Sequence, residues 1–166
     1  MSHKSIRLLI EDTAKSLQDD IQFNYSRTSD FNVMRDKKYP FINCDPMTSV
    51  PQYAVNGSLN FMKSWTGQMA FYQLDQEAST AEEYSLILDE MDVLVDKFIN
   101  KLNFFSYKAD KIIITFGQQQ PFVKATADIL TGFLLPITIT PQDDFDYCKD
   151  DINCILTDEC GNNINT

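Results

Sequence analysis

Histidine is almost absent from this 166-residue chain, and His3 is its only example. A Ser–His–Asp triad or a Cys–His dyad would have to recruit a residue at the extreme N-terminus, where chains fray. Glycine is also scarce. The five glycines stand at 57, 67, 117, 132 and 161. No phosphate-cradling loop assembles from that scatter, and no Gly-x-Ser-x-Gly elbow occurs. The cysteines are Cys44, Cys148, Cys154 and Cys160, too few and too unevenly spread for a disulfide scaffold. The last three contain no Cys-x-x-Cys pair for zinc and read as reduced thiols. No apolar run approaches the ~20 residues of a membrane-spanning helix. Met1 to Ser5 lead into an amphipathic stretch broken by Glu11 and Asp12, which is not a signal-peptide pattern. The expectation is a protein made in the cytoplasm.

Basic residues are in deficit. Against 24 Asp and Glu stand 14 Lys and Arg, giving a net charge of −10 and a pI near 4.4. A surface devoted as a whole to duplex DNA is excluded, since phosphate contacts need clustered Lys and Arg. One local cluster, Arg27, Arg35, Lys37 and Lys38, stands in a polar stretch. It is either a solvated loop or a contact for a phosphate or an acidic neighbour. The acids form no motif. Asp143-Asp144-Phe145-Asp146 fails as a calcium loop, because counting from Asp144 puts Lys149 where glycine is needed. Adjacent pairs such as Glu82/Glu83 and Asp89/Glu90 diverge on a helix and read as surface charge.

What the chain does have is core. Hydrophobic residues make up 43%, with 12 Phe and 7 Tyr among them, so one packed domain is expected. Ile6, Leu9, Ile10, Ala14 and Leu17 recur at helical spacing and predict an amphipathic helix over 3–20. Tyr39 to Cys44, set between Pro40 and Asp45-Pro46, predict a short strand. Alternating runs at 53–62 and 68–75 predict two strands joined by Lys63-Ser64-Trp65-Thr66-Gly67 as a hairpin loop. Thr80-x-x-Glu83 is a capping box and opens a helix over 80–102 with the stripe Tyr84, Ile87, Met91, Leu94, Val95, Phe98 and Leu102. Lys111 to Gly117 form a β-branched strand, interrupted by Gln118-Gln119-Gln120-Pro121. Residues 122–129 are a strand or an irregular bend. A last strand runs from Gly132 through Thr140, with Pro136 arguing for an edge or a bulge. The order α-β-β-β-α-β-β(-β) gives an α+β fold, an N-terminal helix and one long helix packed on a mainly antiparallel sheet. Residues 1–140 form this domain, and 141–166 an acidic C-terminal extension with seven acids against Lys149 from residue 142 onward.

Trp65, the only tryptophan, falls at the expected hairpin tip beside Lys63. Exposed there it would need a partner; otherwise it folds back on the sheet edge.

These strings and their order resemble the tail-terminator and tail-completion proteins of tailed bacteriophages, which are ring proteins of the neck or head–tail connector. The likeness spans roughly residues 3–140. It is carried by the N-terminal helix, by Ser29-Asp30-Phe31-Asn32 followed by Tyr39-Pro40-Phe41 and Asp45-Pro46, by a hairpin before a long helix, and by Ala127-Asp128-Ile129-Leu130-Thr131-Gly132. The Asn-, Ile- and Lys-containing composition suits a phage of an AT-rich host, such as the crAss-like phages. The resemblance implies a structural virion protein without enzymatic activity, catalytic residue, cofactor or metal. Copies would form a six-fold or twelve-fold homo-oligomeric ring that meets other neck, portal or tail proteins. DNA would pass through the lumen without sequence-specific binding, and no membrane would be involved. Lys63, Trp65, Arg35, Lys37 and Lys38 are the candidate subunit or partner contacts. The rival expectations are a small cytosolic α+β enzyme or ligand-binding domain, and an intracellular regulator acting by protein contact.

Overall fold

The computed structural model describes residues 2–27, 38–52, 62–75, 79–109, 112–125 and 129–141. Their order is α1 (His3–Lys15), β1 (Gln22–Tyr25), β2 (Phe41–Cys44), β3 (Thr48–Gln52), β4 (Met62–Leu74), α2 (Ala81–Ala109), β5 (Ile112–Phe116), β6 (Gln120–Ala125) and β7 (Leu130–Pro141). The expected α+β class is observed: both helices pack on one face of a mainly antiparallel sheet. Its main path is β1-β2-β4-β7-β5, with β3 beside β4 and β6 beside β7. Among the described strands, only β1 and β2 run parallel.

Local chemistry sets both helices. Ser2 caps α1 by accepting the Ser5 N–H at 3.2 Å. Ile6, Leu9, Ile10 and Ala14 are fully buried against the sheet. The capping box of α2 is formed: the Thr80 N–H donates to Glu83 Oε2 at 2.7 Å, and the Glu83 N–H donates to Thr80 Oγ1 at 3.4 Å. Met91, Leu94, Val95, Phe98 and Leu102 are buried as the stripe predicts, while Glu90, Asp92 and Asp96 face water. The helix continues to Ala109 because Phe105, three residues past Leu102, extends the buried stripe by another turn. Lys101 ties the two helices together, its Nζ donating to the Ser16 carbonyl at 2.9 Å.

Residues 62–74 correct the sequence reading. They form one strand, and the stretch expected as a hairpin loop lies inside it. Gly67 suggests a turn, but its role is close approach: a Cβ there would lie 2.9 Å from Met47 Cγ, where the β2–β3 connection runs beside the strand. The strand expected over 53–62 lies outside the described residues except for Met62. Strands β1 and β3 were not expected. Pro51 lies within the second of these and is tolerated because, among the described strands, β3 pairs only with β4.

Of the two alternatives at Pro136, an edge or a bulge, the structure takes the second: Pro136 stands in β7, which is paired on both sides, opposite an irregularity in the neighbouring strands. Its carbonyl accepts the Gly117 N–H at 2.9 Å, so the position where its own N–H is missing faces the break between β5 and β6. That break is a one-residue insertion. Phe116 pairs with Ile137 and Gln120 with Leu134, so residues 117–119 stand opposite Pro136 and Leu135. An insertion of one residue reverses which side chains face in. Ile112 and Ile114 point to the helices, whereas Phe122 meets Tyr72 on the other face, their ring centroids 5.6 Å apart. The other rim has the same device. Cys44 pairs with Met69 and Thr48 with Thr66, so residues 45–47 stand opposite Gly67 and Gln68.

Two cores result. The larger lies under the helices; the smaller, Phe41, Ala70, Tyr72 and Leu130, lies on the opposite face. At Gly132 the sheet permits no side chain, because a Cβ would sit 1.8 Å from the Phe71 carbonyl oxygen. Gly132→Ala is therefore expected to lower stability by about 1–3 kcal/mol, the usual cost of overpacking. Urea denaturation measures it, and an unchanged midpoint would contradict the β4–β7 register.

Candidate interaction surfaces

The helices leave part of the sheet uncovered. Strand alternation puts Trp65, Ile114 and Ile139 toward the helices, so their neighbours point away. Thr48 pairs with Thr66, Thr66 with Thr138, and Thr138 with Thr115. Four threonines thus form one row across β3, β4, β7 and β5. Thr48, Thr66 and Thr115 are exposed, and the Thr66 and Thr138 hydroxyls are 3.3 Å apart. The next row is Val50, Ser64, Thr140 and Ile113, with Val50 47% and Ile113 45% exposed at its two ends. The Ser64 and Thr140 hydroxyls bond at 2.8 Å. This half of the face is β-branched and nearly uncharged, with short strands on either side.

The sequence-predicted contacts do not come together as one site. Trp65 is 4% exposed and packs in the helix-side core, edge-on to the His3 ring with centroids 4.2 Å apart. It folds inward because it sits in mid-strand opposite Ile139, and its indole N–H is buried without a hydrogen-bond partner. His3 is accordingly held in the first turn of α1 and not frayed. Lys63 is exposed on β4, paired with Pro51. Lys38 is exposed, and its backbone N–H donates to Gln22 Oε1 at 2.6 Å. Arg35 and Lys37 lie outside the described residues, as do Ser29 to Asn32, Ala127, Asp128, Cys148, Cys154, Cys160 and the whole extension after Pro141. Cys44 is free and buried, and that burial pushes its thiol far above the usual range, so it stays protonated. Sequence reasoning missed the threonine row. Its signal is the recurrence of Thr at alternate positions of separate strands, which only the register aligns.

A cleft of about 380 Å³ opens between the end of α1 and the middle of α2, lined by Gln18, Pro40, Gln73, Glu90, Val93 and Lys97 among others. Gln73 Oε1 is buried there without a hydrogen-bond partner. Farther along β4, the buried Asp75 carboxylate accepts the Ser79 hydroxyl on one oxygen and the Thr131 hydroxyl, at 2.7 Å, on the other. It ties the end of β4 to the start of β7 and to the approach to α2. Among the described residues, no group of three or more His, Cys, Asp or Glu could hold a metal ion, and no helix is long and apolar enough to cross a membrane. No protein-family model matches the chain, and no curated protein matches its sequence.

Because Trp65 belongs to the core, Trp65→Ala is expected to act on folding and not selectively on assembly. A loss of about 3–5 kcal/mol is expected. Thermal denaturation followed by circular dichroism checks it; a variant as stable as the wild type would return Trp65 to the surface.

Proposed function

We propose that the chain is a structural subunit of a tailed-phage virion, of the tail-terminator or neck-ring kind. In this reading copies assemble as a six-fold or twelve-fold ring that meets portal and tail proteins, with DNA passing through the lumen. The observation that carries it is the uncovered half of the sheet. A β-branched, hydroxyl-rich face bounded by short strands suits contact with a neighbouring subunit better than solvent alone. The net charge of −10 supports passage of a duplex over gripping it. The contact surface differs from the one expected at a hairpin tip: it is the row Thr48, Thr66, Thr138 and Thr115.

A second reading, a ligand-binding domain, draws on the cleft and on the unpaired oxygen of Gln73. The two separate on assembly. Thr66→Arg and Thr115→Arg place a long cation on exposed positions and are expected to change monomer stability by no more than about 0.5 kcal/mol. Both are expected to abolish rings seen by electron microscopy of the purified protein with its neck partners, and incorporation into virions. Rings that form normally in both variants would remove this face as the interface. A wild-type chain missing from assembled particles would overturn the structural reading itself.

A further inference from the structure

The charges of α2 are segregated along its length. From Glu82 to Asp96 there are six acids and no base; from Lys97 to Ala109 there are Lys97, Lys101 and Lys108 and no acid. The helix dipole accounts for Glu82, Glu83 and Lys108, since its influence falls off within the first and last turn. It does not account for Asp89, Glu90, Asp92, Asp96 and Lys97 in the middle. A solvated helix usually pairs opposite charges three or four residues apart, as α1 does: Glu11 accepts from Arg7 at 3.3 Å and from Lys15 at 2.6 Å. In α2 that spacing holds no opposite pair and three like pairs, Asp89/Asp92, Asp92/Asp96 and Lys97/Lys101. Four of these charges are engaged within the chain: Glu83 by the Thr80 N–H, Asp92 by Gln119 Nε2 at 2.6 Å, Lys101 by the Ser16 carbonyl, and Lys108, whose Nζ lies 5.6 Å from the centroid of the Phe104 ring. The others are exposed.

The same outer face carries apolar residues at a seven-residue spacing. Leu86 is 64%, Val93 53% and Tyr107 82% exposed, with Asn100 completing the series and Phe104 beside it. They lie opposite the buried stripe of Met91, Val95, Phe98 and Leu102.

We propose that α2 docks antiparallel on α2 of a second copy of this chain, through a two-fold axis between Asp96 and Lys97. An acidic half followed by a basic half is complementary to itself only in that direction. In this register Asp96 lies beside the partner subunit's Lys97, Val93 beside the partner subunit's Asn100, and Leu86 beside the partner subunit's Tyr107. The partner subunit's Lys108 comes within a turn of Glu82 and Asp89. The contact uses the helix layer and not the open face of the sheet, so it does not rest on the ring reading; it joins two copies whether or not each belongs to a ring.

Light scattering on the full chain up to about 1 mM, with circular dichroism on each sample, tests it. The wild type is expected to show a dimer that weakens as salt is raised. Asp96→Lys and Lys97→Asp are each expected to raise the dissociation constant at least about tenfold, since each sets like charges against each other at both symmetry-related positions. Mixed in equal amounts, the two variants are expected to associate as the wild type does, because every pair across the axis is then opposite in sign. Tyr107→Ala is an uncharged second variant at a side chain with little to lose in the fold. A wild type that stays monomeric, single variants that associate like the wild type, or a mixture no tighter than either variant alone would each overturn the proposal.

Discussion

The pairing of β4 with β7 is the contact on which the rest of the molecule is assembled. Ten consecutive residue pairs, from Trp65–Ile139 to Leu74–Leu130, join two strands that stand far apart in sequence. Every other strand except β1 is hydrogen-bonded to one of these two. Helix α2 belongs to the connection between them and buries its stripe on the strands it links, with Phe98 edge-on to Phe71 at 5.5 Å. Asp75 fixes one end of the ladder by holding Thr131 and Ser79. A buried carboxylate is stable only with such donors, so the polar tie and the apolar ladder depend on each other.

Much of this was legible where one signal acted alone. The capping box and stripe of α2 specified its start, its face and its polar side, because helix period and cap chemistry agree there. The β-branched run at 112–116 was equally plain. Misreadings came where a residue has two meanings. Gly67 reads as part of a hairpin loop, yet it makes room for Met47; Pro136 reads as an edge or a bulge, and its missing donor faces the gap between the neighbouring strands. Strand β1 spans four residues, too few for alternation to stand out. The threonine row on the sheet was the least legible feature. Tryptophan, the residue type most often found at interfaces, is buried here, and the exposed rows exist only once separate strands are in register.

The molecule therefore has two unlike outer sides. One is a sheet surface with hydroxyls and little charge. The other is a helix with its acids gathered at one end and its bases at the other. Contacts on the first would be insensitive to salt and governed by shape, while contacts on the second would respond to ionic strength and be fixed in direction. A chain built this way has the means to keep two associations distinct, each addressed by its own physics.

The paired one-residue insertions have a consequence for the sheet as a whole. Residues 45–47 flank the rungs Gly67–Ile137 and Gln68–Pro136, and residues 117–119 flank Gln68–Pro136 and Met69–Leu135, so the two rims change phase about one shared rung while the spine does not. The result is a crease across the sheet. On one side of it the outward phase of the rims reads Thr48, Val50, Ile113 and Thr115; on the other it reads Phe41 and Phe122. Each rim is a continuous stretch of chain written in two phases, and the crease is the splice that keeps the aromatic script from running into the hydroxyl one. Loss of a single residue at either splice would put the two ends of that rim in one phase and turn the inward side chains of one end outward.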